Sequence, residues 1–230
     1  MQTDRELLAE IKLYYDLKTP ENAVAPAPLL VAIHGYGGNK RAMMREAIAV
    51  APDEFAVAAL QGFHQHWRES ATAQAAGALP KVGFAWLTNY KSEDSVAVHH
   101  RALRDLIENL VAEGVAAPDK IFLLGFSQSC ALNFRFAFAH PDLLAGVIGI
   151  SGGIPSDWET NQVYQSFAKP LLYLYGDADE FYPLAKFAEN ADKLQMRAAN
   201  LQTKMYSAKH EITAEMSADV KTWLQQKVVG

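Results

Sequence analysis

The five residues Gly125-Phe126-Ser127-Gln128-Ser129 carry the most specific chemistry in this chain. A serine hydroxyl is a weak nucleophile until a neighbouring base takes its proton. A G-x-S-x-G turn between a strand and a helix is one setting that presents it to such a base. Here the apolar run 121–124 leads straight into the turn, and a helical pattern over 128–139 follows at once. The turn is expected to strain the serine backbone, and small residues two positions either side let strand and helix approach. The second glycine is replaced by Ser129, so a tighter version of the turn is expected. Helix N–H groups and the positive dipole end behind the serine offer a place for negative charge. A plain helix N-cap is the alternative use of Ser127.

Seven histidines could supply the base. His99 and His100 sit mid-helix and are expected to face solvent. His140 precedes Pro141 at a helix end, where a cation is favourable in any case. His64 and His66 lie in an irregular stretch without a third ligand at zinc-like spacing, so no metal role is expected for them. Cys130 is the only cysteine, which excludes an intrachain disulfide and a thiolate metal cluster.

These residues need elements to position them. The apolar run 29–33 reads as a strand buried on both faces, and it stops at His34-Gly35-Tyr36-Gly37-Gly38-Asn39. A helical stretch at 40–50 and a strand at 55–60 follow. Residues 61–90 carry glycines, a proline and five aromatics without a sustained period, and read as an irregular excursion bordering the active site. A helix over 92–113 presents Val96, Leu103, Leu106, Ile107 and Leu110 at helical spacing. Strands at 120–124, 145–150, 171–175 and 201–206 then alternate with helices at 128–139, 184–200 and about 211–228. Such alternation predicts an α/β fold with a mostly parallel sheet and helices on both faces.

Composition sets outer bounds. A chain of 230 residues, half of them apolar, fits a single domain with a sizeable core. The formal net charge of −5 argues against nucleic acid as a partner. No segment reaches the roughly 20 apolar residues that span a bilayer, and no leader pattern opens the chain, so a cytoplasmic protein is expected.

The blocks His34-Gly35-Tyr36-Gly37, Gly83-Phe84-Ala85-Trp86, Gly125-Phe126-Ser127-Gln128, Gly146–Gly152 and Tyr175-Gly176-Asp177-Ala178-Asp179 with Pro183 occur in a telling order. In them the sequence resembles the carboxylesterase, phospholipase and acyl-protein thioesterase branch of the α/β-hydrolase superfamily. The resemblance implies a Ser–Asp–His triad in that chain order. Asp177 and Asp179 both follow the strand at 171–175. The family register, with an apolar pair and a proline beyond the acid, favours Asp179 and leaves Asp177 as a turn residue. His210, between the last strand and the closing helix, matches the family's histidine, although Lys209 stands where a glycine is usual. His34 is expected to hold the first loop by hydrogen bonding.

The implied chemistry is acyl transfer to water, with Ser127 attacking, His210 taking the proton and Asp179 orienting the imidazole. Backbone N–H groups of Tyr36 and Gln128 would form the oxyanion hole, and Trp86 would line the substrate pocket. No cofactor is expected, and the substrate would be a small or lipid-like ester or thioester. Two rival readings remain: another acyl-transfer enzyme on the same fold, and a non-hydrolytic small-molecule receptor.

Overall fold

The computed structural model describes residues 1, 3–21, 26–68 and 81–228. Nine strands are found among them: β1 (Tyr15–Lys18), β2 (Ala27–Ile33), β3 (Ala56–Leu60), β4 (His64–Arg68), β5 (Lys81–Ala85), β6 (Ala116–Phe126), β7 (Gly146–Ile150), β8 (Phe167–Gly176) and β9 (Ala198–Tyr206). The α-helices are α1 (Lys40–Val50), α2 (Ser92–Ala112), α3 (Gln128–Ala139), α4 (Leu184–Gln195) and α5 (Ala214–Val228).

Seven strands form one sheet in the order β1-β3-β2-β6-β7-β8-β9. Neighbours run parallel throughout, except that β1 lies antiparallel on β3. The continuous apolarity of β2 has a direct cause. Leu29, Val31 and Ile33 pack with residues of α2, α3 and α4 on one face, while Leu30 and Ala32 pack with α1 and α5 on the other. A strand covered on both sides has no position for a polar residue. This is the mostly parallel, doubly covered sheet that the alternation of strands and helices predicts.

Three expectations need correction. The stretch 61–90 is not wholly irregular, because β4 and β5 pair antiparallel as a hairpin, from His64 opposite Ala85 to Arg68 opposite Lys81. The part of it at 69–80 lies outside the described residues. The helix expected to reach residue 200 ends at Gln195, and β9 starts at Ala198. His99 is fully buried, not solvated. It lies three residues after Val96 and four before Leu103, on the apolar stripe of α2.

Candidate active site

The polar residues singled out in the sequence collect at the carboxyl ends of the parallel strands, the usual ligand end of an open α/β sheet. Ser127 follows β6, Asp179 follows β8, and His210 follows β9. The ladder continues past the strand ends, with the Ser127 N–H donating to the Ile150 carbonyl at 3.0 Å and the Asp177 N–H to that of Tyr206 at 2.9 Å.

Ser127 has φ 58° and ψ −121°, a conformation that L-residues rarely adopt. The sharp turn places α3 directly against β6. A Cβ on Gly125 would meet Asn133 Nδ2 at 2.8 Å, and one on Gly35 would meet Ser127 Cβ at 2.9 Å. Ser129 fits where a glycine was expected, because its hydroxyl is used. Its oxygen accepts from the Phe126 N–H at 2.9 Å and donates to the Ile33 carbonyl at 2.7 Å, tying the turn to β2.

His210 and Asp179 form a pair. The carboxylate is an acceptor, so imidazole Nδ1–H donates to Asp179 Oδ2 at 2.8 Å and leaves Nε2 with its lone pair. The other oxygen, Oδ1, accepts from the Phe181 and Tyr182 N–H groups, both at 2.9 Å. Burial alone would push the Asp179 carboxyl up. The imidazole and the two N–H groups outweigh it and hold the group below the ordinary carboxylate range. Asp177, in contrast, is exposed.

The His210 ring lies 4.8 Å from that of Phe126, the residue before Ser127. Among the described residues the hydrogen bonds of His210 go to Glu180 and Asp179, and none joins it to the Ser127 hydroxyl. Serine–imidazole contacts are often loose until substrate closes a site. Lys209 points to solvent, and the neighbouring backbone is held by the Ala178 N–H donating to the Ala208 carbonyl at 3.0 Å.

His34 is buried, with Nδ1–H donating to the Gly35 carbonyl at 2.7 Å and Nε2 accepting from the Gly62 N–H at 2.9 Å. It pins the first loop, and burial keeps it neutral by lowering its pKa. The hairpin clasps the same loop from outside. The Gly37 N–H donates to the Phe84 carbonyl at 2.8 Å, and the Tyr36 and His66 rings stack at 4.6 Å. The N–H groups of Tyr36 and Gln128 are left without a backbone acceptor among the described residues. A cavity of about 370 Å³ opens beside this loop, walled by Tyr36, Met43, Phe126, Glu211 and Ile212.

Trp86 departs from expectation. It is fully buried, so its ring cannot form a pocket wall. It acts from beneath, its backbone N–H donating to Gln128 Oε1 at 3.0 Å, while Gln128 Nε2 donates to the Leu87 carbonyl at 3.1 Å. Tyr182, given no role from the sequence, stands beside the pair, its ring centroid 5.9 Å from that of His210 at an interplanar angle of 22°. Among the described residues no three His, Cys, Asp or Glu side chains gather as metal ligands would, and no helix is long and apolar enough to cross a membrane.

The fold is that of the α/β-hydrolases, with helices on both faces of the sheet and a serine turn at the end of a central strand. Within that class the chain belongs to the phospholipase/carboxylesterase family, whose model matches residues 17–228. A putative esterase, NocK, of Nocardia uniformis subsp. tsuyamanensis is 29% identical over 68% of this chain and 41% of that protein. Acyl-protein thioesterase 1 of Schizosaccharomyces pombe is 31% identical over 52% of this chain and 56% of its own length. The matched region thus spans about half the length of these relatives. The crystal structure of the Bacillus cereus carboxylesterase superposes with a TM-score of 0.71, covering 94% of each chain at 17% identity, a likeness of fold.

Proposed function

We propose that this chain hydrolyses carboxylic esters or thioesters through a covalent acyl-enzyme on Ser127. The observation that carries the reading is the His210–Asp179 bond at 2.8 Å, which leaves imidazole Nε2 as an acceptor on a ring 4.8 Å from that of Phe126, the neighbour of a serine held at positive φ. In the reaction, Ser127 Oγ attacks the carbonyl carbon as its proton passes to Nε2. The oxyanion forms against the N–H groups of Tyr36 and Gln128, donors worth on the order of 3–4 kcal/mol each in comparable sites. The imidazolium, steadied by Asp179, then protonates the departing alcohol or thiol, and water repeats the cycle. The clasp of the hairpin on the Tyr36 loop supports this, since preorganised donors need no rearrangement during reaction.

The reading includes a single domain acting on a small or lipid-like ester, without cofactor, in the cytoplasm. A lone buried thiol, with no need of an oxidising compartment, is consistent with that location.

The test is Ser127→Ala, assayed on p-nitrophenyl esters of two to eight acyl carbons. Activity is expected to fall by about 10⁴-fold or more, with the melting temperature retained. A folded variant that keeps more than a few per cent of parental turnover removes Ser127 from the mechanism.

A further inference from the structure

The two backbone donors assigned to the oxyanion, those of Tyr36 and Gln128, stand on loops far apart in sequence, yet one short segment grips both loops. On the first, the Gly37 N–H donates to the Phe84 carbonyl at 2.8 Å and the Phe84 N–H donates to the Gly38 carbonyl at 3.2 Å. This antiparallel bridge holds the chain immediately after Tyr36. Two residues further along, the same segment meets the second loop. The Trp86 N–H donates to Gln128 Oε1 at 3.0 Å, and Gln128 Nε2 donates to the Leu87 carbonyl at 3.1 Å. Residues 84–87 thus form a brace between the two donors.

The brace is itself fixed. Ala85 pairs with His64 in the β4–β5 hairpin, and Trp86 is fully buried, its ring centroid 5.4 Å from that of His34 and 5.3 Å from that of His99. Its second end makes a strict chemical demand. One planar group must accept from an N–H and donate to a carbonyl, and a primary amide does both. A carboxylate only accepts, and a thioether of similar length does not donate. The half-buried Gln128 side chain therefore gives both ends of its amide to backbone groups 42 and 41 residues away.

Resting on the acyl-enzyme reading above, we propose that Gln128 is a positioning residue whose side-chain amide, through the brace 84–87, holds its own backbone N–H in register with that of Tyr36. The amide takes no part in bond making. In acylation the serine proton moves to His210 Nε2, the Oγ–carbon bond forms and the carbonyl π pair moves onto the oxygen. Negative charge appears on that oxygen only in this step, so a displaced donor weakens the transition state more than the bound ester. The loss falls on kcat.

The discriminating variant is Gln128→Met, which keeps the length and the backbone N–H and removes the clamp. Its kcat on a short p-nitrophenyl ester is expected to fall about tenfold at unchanged KM. The affinity of an alkyl trifluoromethyl ketone, whose carbonyl adds Ser127 Oγ and leaves an oxyanion in the same place, should fall by the same factor. Gln128→Glu keeps the acceptor for Trp86 but sets a carboxylate against the Leu87 carbonyl, and is expected to lose at least as much. Rates and affinities are counted per fluorophosphonate-titrated site, so loss of folded protein does not enter the comparison. Either variant within twofold of the parent in both measurements overturns the proposal. So does a loss confined to KM, which assigns the side chain to substrate contact, or a loss of kcat with ketone affinity retained, which leaves the donors in place. Ser127→Ala is run alongside: if it retains turnover, the nucleophile reading fails; if it is dead while Gln128→Met is unchanged, only the role of the Gln128 side chain fails.

Discussion

Asp179 has a side chain with no exposure, and its two oxygens divide their work between one imidazole and two backbone N–H groups. An amide in its place would keep the shape and lose the charge that fixes the Nδ1–H tautomer. Asp179→Asn is therefore expected to lower kcat by about 10⁴-fold with little change in melting temperature, as steady-state ester hydrolysis would show. Asp177→Asn, altering an exposed side chain, should stay within twofold of the parent. Sequence register separated these two aspartates, because spacing to Pro183 is a one-dimensional property. The approach of the His210 ring to Phe126, beside Ser127, is not: it depends on the loop after β9 folding back over the end of β6, three strands away in the sheet.

The elbow shows how much an element can hang on one side chain. Ser129 replaces an expected glycine and repays its Cβ with bonds to Phe126 and Ile33. Removing the hydroxyl leaves a buried carbonyl and an N–H unpaired, at a cost of about 1–3 kcal/mol. Ser129→Ala should lower the urea midpoint accordingly, without changing the slope of the transition; an unchanged midpoint would show that the turn does not need the tie to β2. Strands covered on both faces were legible in the sequence because their apolar runs are unbroken, as in 121–124 and 146–150. The β4–β5 hairpin was not, since His64-Gln65-His66-Trp67-Arg68 buries neither face fully and carries no strand-like alternation. Strand β1 escaped because its alternation runs for only four residues, none fully buried, at a sheet edge.

At the scale of the molecule, the buried histidines tie stability to pH. Burial, then the charge of His100, lowers His99 to about 3. Burial, then His140, Arg135 and Arg104, lowers His100 to about 4. Both lie below the unfolded value near 6.5, so the unfolded chain binds more protons as pH falls through that value, and stability present above it is lost. Each histidine contributes a slope of up to about 1.4 kcal/mol per pH unit between its two pKa values. Urea midpoints measured at pH 7, 6 and 5 should decline steadily; a constant midpoint contradicts the burial of this cluster. The Asn133 amide, the His99 ring and the Trp86 indole N–H are buried without hydrogen-bond partners among the described residues. Each such buried group adds a desolvation cost that the surrounding aromatic packing must outweigh. The overall architecture could be read from alternating strands and helices, but which helix residue faces the sheet at a polar position such as His99 required the packed helix.

The single thiol of the chain sits beneath the serine turn, fully buried, with Sγ donating to the Gly125 and Ile150 carbonyls at 3.3 Å and its pKa pushed up to about 12 by burial. An alkylating reagent can reach that sulfur only when α3 lifts away from β6. Cys130 is thus a natural clock: the pace at which it is capped counts how seldom the floor beneath Ser127 gives way, independently of any substrate.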